Sequence, residues 1–337
     1  MKKFIGVLLT SATIMAAIVG CGGAQQANSS DVSDGEYTVK IGYSTGLCHA
    51  PIHIAVENGY FEEEGLKFEA IAIEGAVVAE AVGTGQVDAG FGLVGKFVQP
   101  LENGLPMKLT AGIHTGCTKL LVPNDSDIQS VADLKGKRIG VASLADSPCL
   151  TAKRSLANAG IGVTAENMEV EFVVYNNADL PMALQNGAID AYCAVDPAVS
   201  KAQEEYNLRA IIDTTTDEEY KDEYCCLSFV TTDLAQNHPD LAAKYTRAVM
   251  KAAKWIEENP EEAAKIQLEK EYVTGELEFN ANLLASYNYN PTVSGGYSAL
   301  EKSVLDLYEI GILRKETDTQ ALIENSFVKL EGVEDTY

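Results

Sequence analysis

Positive charge is scarce in this sequence. Its 337 residues include 25 lysines and arginines against 49 aspartates and glutamates, a formal net charge of −24. The acidic residues are spread along the chain and not gathered into a tail. Such a surface repels a phosphate backbone, which argues against nucleic acid as a partner. Long apolar runs are missing after the first twenty residues, and no later stretch is long enough to cross a bilayer. Catalytic signatures are also lacking. There is no H-E-x-x-H pair and no G-K-[ST] phosphate loop, and no serine is read as a nucleophile elbow. The acidic run Glu62-Glu63-Glu64 reads as a solvated helix end, not as an acid–base pair. These absences predict a protein that is not an enzyme and carries no cofactor. Aromatic residues are modest in number, and Tyr43, Phe91, Phe97, Tyr175 and Tyr192 are read mainly as core.

The N-terminus holds what the rest lacks. Met1-Lys2-Lys3 is a basic start, residues 4–20 are apolar, and Ile18-Val19-Gly20-Cys21 follows. Small residues at the end of such a run mark an export signal, here residues 1–20. The Ile-Val-Gly-Cys ending resembles a bacterial lipobox, which implies that Cys21 becomes a lipidated first residue and a membrane anchor. Cleavage would remove Lys2 and Lys3 and no acid, leaving 23 basic against 49 acidic residues. Residues 21–36 are small and polar and read as a tether. The folded body then begins near Tyr37, on the extracytoplasmic side of the cell membrane.

Its length suits about two domains. Short β-like runs alternate with helix-length amphipathic segments. Strands are predicted over 38–44, 67–73, 87–92 and 107–113, with helices over 51–66, 76–85 and part of 94–104. A second series has strands at 137–142, 168–175 and 189–195, with helices at 147–160, 178–187 and 197–206. This alternation predicts parallel sheets covered on both faces. Residues 81–92 and 183–194 share one form, helix, glycine, apolar residue, Asp-Ala, strand, so each half carries the same unit. After residue 233 the chain reads as helical, with Pro239 and Pro260 suited to first turns.

Several stretches together resemble a known family. HAPIHIAVENGYFEEEGLKFE, GTGQVDAG, IQSVADLKGKRIGV, ALQNGAIDAYCAVDPAVSKAQ and AAKWIEENPEEAA occur in the order found in solute-binding proteins of the nitrate, sulfonate (taurine-like) and bicarbonate ABC importers. The resemblance covers roughly residues 38 to 270. It implies an α/β, two-lobed periplasmic-binding-protein fold of type II, with two parallel-sheet lobes joined by two crossing strands. Lobe one would hold 37–120 and 228–337, and lobe two 121–227, with crossings near 119–123 and 225–230. It also implies a small-molecule solute, permease and ATPase partners, and a monomer. The related thiamine-pyrimidine synthases place a Cys-Cys-Cys-Phe-Cys motif where this chain has Cys225-Cys226-Leu227-Ser228-Phe229. Only two adjacent cysteines are kept, and the synthase histidine is not evident in GFGLVGKF.

Ligands in open α/β sheets sit beyond the carboxyl ends of the strands, where helix N-termini offer free N–H groups. That rule selects Ser44, Thr45, Gly46, Cys48, His49, Gly92, Lys96, Thr115, Cys117, Ser143, Asp146, Ser147 and Asp196 as solute-binding candidates. Ser147-Pro148 and Asp196-Pro197 read as helix starts. An anion would need a cation nearby, and Lys96, Lys119 and Arg154 are available, Lys96 being best placed. Six cysteines remain beyond Cys21, without a C-x-x-C pair. They are read as packing beside an organic ligand. Disulfides are one alternative, and metal ligation by Cys48, Cys117, Cys149 and Cys225 is another. On a regular strand, Cys225 and Cys226 would point to opposite faces.

Overall fold

The structure is a computed structural model, and it describes residues 37–73 and 77–337. The expected signal, tether and Cys21 lie outside the described residues. Two five-stranded sheets organise the rest. The first has the order β2-β1-β3-β12-β4, built from β1 (Val39–Tyr43), β2 (Phe68–Ala72), β3 (Ala89–Leu93), β4 (Met107–Thr115) and β12 (Tyr224–Thr231). The second has the order β11-β5-β10-β6-β9, from β5 (Thr118–Pro123), β6 (Arg138–Val141), β9 (Glu171–Val174), β10 (Ala191–Val195) and β11 (Leu208–Asp213). A small hairpin of β7 (Val163–Thr164) and β8 (Asn167–Met168) stands apart.

Both sheets are mixed, which corrects the expectation of parallel lobes. In the first, β1 pairs in parallel with β2 and β3, whereas β12 runs antiparallel to β3 and β4. In the second, β6 is parallel to β9 and β10, and β5 is antiparallel to β10 and β11. The reversal has a simple cause. A strand entering a sheet from the other sheet arrives from the carboxyl ends and must run backwards. Of the segments expected as crossings, 119–123 lies in β5 of the second sheet and 225–230 in β12 of the first. The chain passes between sheets at Gly116–Cys117 and again over 214–223.

The repeated unit proves to be one hydrogen-bonded device used twice. Gly85 and Gly187 adopt φ of 68° and 66°, the left-handed conformation that ends a helix and that glycine adopts at no steric cost. Asp88 then accepts the Lys40 N–H at 2.9 Å, and Asp190 accepts the Arg138 N–H at 2.8 Å. Each basic side chain reaches the glycine carbonyl, Lys40 to Gly85 at 2.8 Å and Arg138 to Gly187 at 2.9 Å. The aspartate thus registers a helix end against the first residues of the neighbouring strand.

Helices cover both sheets. In the first half they are α1 (Ala50–Glu57), α2 (Tyr60–Glu63), α3 (Val78–Gly83) and α4 (Gly95–Glu102). The second series supplies α5 (Ser147–Asn158), α6 (Leu180–Gln185) and α7 (Ala198–Glu205). The chain then returns through α8 (Thr232–Asn237), α9 (Pro239–Glu258), α10 (Pro260–Glu269), α11 (Leu277–Ser286), α12 (Val293–Glu309) and α13 (Thr319–Ser326). Leu241, Tyr245, Val249 and Ile256 of α9 are buried at helical spacing against the first sheet. The edge of β4 is closed by paired bonds, Gly112 N–H to Thr292 O at 2.9 Å and the reverse at 3.1 Å.

Candidate functional site between the two sheets

The loop after β1 is held from beneath by α1. The His53 ring is 1 % exposed and stacks on Tyr272 with centroids 4.0 Å apart. Gln267 Nε2 donates to His53 Nδ1 at 2.8 Å, so the remaining ring N–H donates to Ser44 O at 3.2 Å. Burial pushes His53 down to about 3, and it stays neutral. His53 is therefore a support and does not face the cleft. Next to it, His49 Nδ1 accepts the Ser44 N–H at 3.4 Å, and burial, His114 and Lys96 push His49 down to about 3. Residues 42–46 spell G-x-S-x-G, which corrects the expectation that no such spacing occurs, and the partners of Ser44 decide its role. No histidine bond to the Ser44 hydroxyl is present among the described residues, and Ser44 engages both rings through its backbone. A serine without a base on its oxygen is not an activated nucleophile.

From the first sheet, β4 delivers His114. Its ring is fully buried beside Tyr287 at 5.5 Å and Tyr289 at 5.0 Å between centroids. His114 Nδ1 donates to Thr115 O at 3.0 Å, while Nε2 has no partner. The hydroxyls of Tyr287 and Tyr289 are likewise buried without partners. From the second sheet comes Asp196, at the end of β10. Its Oδ1 accepts the Ser200 N–H at 3.1 Å, its Oδ2 is unpartnered, and burial raises its pKa to about 6. The Asp196 N–H donates to Cys117 O at 2.9 Å, and a Cβ on neighbouring Gly116 would lie 3.4 Å from the Tyr287 ring, so the passage at 116–117 brings the two groups to one junction. Buried polar atoms normally find partners. Four unpartnered ones at one junction mark a place built to receive something polar.

Four thiols line the same junction. Cys117 Sγ lies 3.3 Å from Cys225 Sγ, and Cys225 Sγ lies 3.6 Å from His114 Nδ1. Cys226 Sγ lies within 4.8 Å of Cys225 Sγ and of a His114 ring nitrogen, and Cys48 is near enough to act electrostatically on Cys225. Bonds from Cys225 and Cys226 draw the Cys117 thiol well below its ordinary value, whereas burial pushes theirs up. A regular strand would have separated Cys225 from Cys226. Here the pairing of β12 with β4 slips three times, and two of the slips, between Tyr224 and Cys226 and between Cys226 and Leu227, flank the cysteines. A bulge re-aims a side chain in this way, and both thiols face the cluster.

Other expected residues fall in mixed company. Lys96 stands close enough to His49 and Asp146 to act on both electrostatically, and among the described residues it makes no ion pair. Asp146, not Ser147, caps α5, accepting the Cys149 N–H at 2.9 Å. Ser147 is buried against α4, where a Cβ on Gly95 would lie 3.0 Å from its hydroxyl oxygen. Thr115 is buried at the end of β4, while Thr45 and Ser143 are exposed. Gly46 faces open space, and the Phe97 ring covers Gly92. Two candidate cations are already engaged, Lys119 by Asp213 at 3.1 Å and Arg154 by Glu223 at 2.6 Å. Cys149 departs from the alternative metal set. It is buried on α5, where its ionisable neighbours are Lys153 and Asp146, and burial pushes its thiol up to about 12.

Sequence reasoning missed Tyr287 and Tyr289. Their signal was the alternation Tyr287-Asn288-Tyr289-Asn290, which places both rings on one side of an extended segment.

A family model described as NMT1/THI5 like matches residues 47–263. The chain belongs to the NMT1/THI5-like family. Relatives fall on both sides of that family. A Bacillus subtilis (strain 168) protein named for binding aliphatic sulfonates is 25 % identical over 98 % of this chain and 96 % of its own length. A 4-amino-5-hydroxymethyl-2-methylpyrimidine phosphate synthase of Legionella pneumophila is 24 % identical over 68 % of this chain and 72 % of its own. Among solved structures, the periplasmic aliphatic sulphonate binding protein SsuA of Escherichia coli superposes with a TM-score of 0.71. It is 18 % identical and covers 89 % of this chain and 96 % of its own. The periplasmic nitrate-binding protein NrtA of Synechocystis PCC 6803 also gives 0.71, at 16 % identity over 86 % of each chain. The NMT1/THI5-like chain thus has the periplasmic-binding-protein fold.

Proposed function

We propose that this chain is the solute-binding lipoprotein of an ABC importer, not an enzyme, and that it captures a small anionic or polar organic solute between two lobes. The lobes are built on the two sheets and part at 116–117 and 214–223. The reading rests on one observation above others: His114 Nε2, Asp196 Oδ2 and the hydroxyls of Tyr287 and Tyr289 are buried without partners where the carboxyl ends of the sheets meet. A solute oxygen can accept from the tyrosines, a solute N–H or O–H can donate to His114 Nε2 and Asp196 Oδ2, and Lys96 adds positive charge near His49 and Asp146. The relatives named for sulfonate and nitrate binding support an oxyanion as the solute. Export by residues 1–20 and a lipid on Cys21 would hold the chain beside its permease and ATPase. Hinge movement at the two passages would close the lobes.

Calorimetric titration with an alkanesulfonate, nitrate and bicarbonate tests the reading. One of the three is expected to bind at a single site, and Tyr287→Phe is expected to weaken it about ten-fold, the worth of one buried hydrogen bond. Binding unchanged in both Tyr287→Phe and Lys96→Ala would move the solute out of this junction. No heat and no rise in melting temperature with any of the three would sink the oxyanion reading.

A further inference from the structure

The solute reading leaves the thiols unused, and their arrangement is costly for mere packing. One ligand atom each from His114, Cys225 and Cys226 lies within 4.8 Å of the other two, and Cys117 Sγ stands 3.3 Å from Cys225 Sγ. Three local departures from regular structure create this proximity. Cys117 sits at φ 80°, a left-handed conformation that strains a residue with a Cβ. Two register slips turn Cys225 and Cys226 to one side. The His114 ring is buried with Nδ1 3.6 Å from Cys225 Sγ, and an ion held there would replace the bond from Nδ1 to Thr115 O. A disulfide between Cys117 and Cys225 would leave Cys226 and His114 unexplained.

We infer that His114, Cys225 and Cys226 form a site for a zinc-class metal ion, and that Cys117, 3.3 Å from Cys225, moves in as its fourth donor. Three thiolates and one imidazole are a recognised tetrahedral donor set for zinc. All four residues come from the ends of β4 and β12 and the passage between sheets at 116–117. An ion there would tie the first passage to the start of the strand that follows the second. Cys225 also lines a cavity of 60 Å³ with Gly95, Ser147, Thr214 and Tyr220. The inference goes beyond the solute reading and does not depend on which solute the cleft takes.

Cobalt(II) titration of the reduced full chain without oxygen tests it. The expected result is one equivalent bound, with thiolate-to-cobalt charge-transfer bands and the visible bands of a tetrahedral ion, both abolished by zinc. Cys225→Ser and His114→Ala should each lower affinity at least about ten-fold, whereas Cys149→Ala should leave the bands unchanged. Failure of the ligand variants to fold would show in circular dichroism, and the wild-type bands then decide alone. Absence of tetrahedral bands in the wild type would overturn the site. So would an unreduced chain two hydrogens lighter with Cys117 and Cys225 linked, or equal losses in the Cys149 and Cys225 variants. Repeating the sulfonate titration with and without metal keeps the two readings separable, because either can fail while the other stands.

Discussion

At the scale of single residues, the histidines control how this protein answers to acid. His53 is held neutral by burial, with its folded pKa near 3 against an ordinary value of 6.5. An unfolded chain takes up that proton first as pH falls. Stability is therefore full above about 6.5 and is lost as pH drops toward 3. At about pH 5 the loss from His53 alone is expected to be about 2 kcal/mol, in order of magnitude. Urea unfolding at about pH 7 and pH 5 measures it. His53→Gln, which keeps a donor for Ser44 O, should flatten part of the slope. An identical slope in that variant would show that His53 is not the group responsible. Sequence alone records only that His53 lies four residues after His49, at the start of the expected helix 51–66. It could not tell a ring facing a solute from one facing Gln267, 214 positions away.

Between elements, backbone proximity decides more than side-chain chemistry does. Helix α12 meets β4 through glycines on both sides. A Cβ added to Gly296 would sit 2.6 Å from the Ala111 carbonyl carbon and closer still to Gly112 N. Neither neighbour is a flexible side chain that could swing away. Gly296→Ala is expected to cost about 3 kcal/mol, at the upper end of overpacking effects. Gly136→Ala has open space at its Cβ but φ of 75°, and should cost only about 1 kcal/mol from strain. Thermal unfolding of both variants checks the order, and a harmless Gly296→Ala would mean that α12 can slide on β4. Most strands and helices were legible from periodicity, because each buries one face. Strand direction was not legible for β5 and β12. It depends on the sheet from which the chain arrives, which no local pattern records.

Across the whole molecule, an ion-pair cluster joins the halves. Arg154 of α5 pairs with Glu223 in the second passage at 2.6 Å and with Asp306 of α12 at 3.3 Å. Its guanidinium lies 4.5 Å from the Tyr220 ring centroid. The pairing raises Arg154 above its ordinary range despite burial. Removing one member of such a pair strands the other charge. Arg154→Met is expected to cost about 3–5 kcal/mol and to enlarge the radius of gyration in small-angle scattering. Adding Glu223→Gln should restore most of that stability. A double variant as unstable as the single one would assign the loss to packing rather than to charge.

The sequence by itself determined the alternation of strands and helices, the duplicated unit built on Asp88 and Asp190, and the family resemblance carried by ordered motifs. These are local or repeated features, and local periodicity and turn chemistry are enough to write them. Only the tertiary structure decided which residues meet. It joined Cys117 to Cys225 and Cys226, sent Cys149 elsewhere, committed Arg154 to Glu223, and brought Tyr287 and Tyr289 to His114. Those contacts span 69 to 175 positions of chain and pass through bulges and a strained crossing. The energies that fix them arise from burial and backbone hydrogen bonding far from the residues concerned.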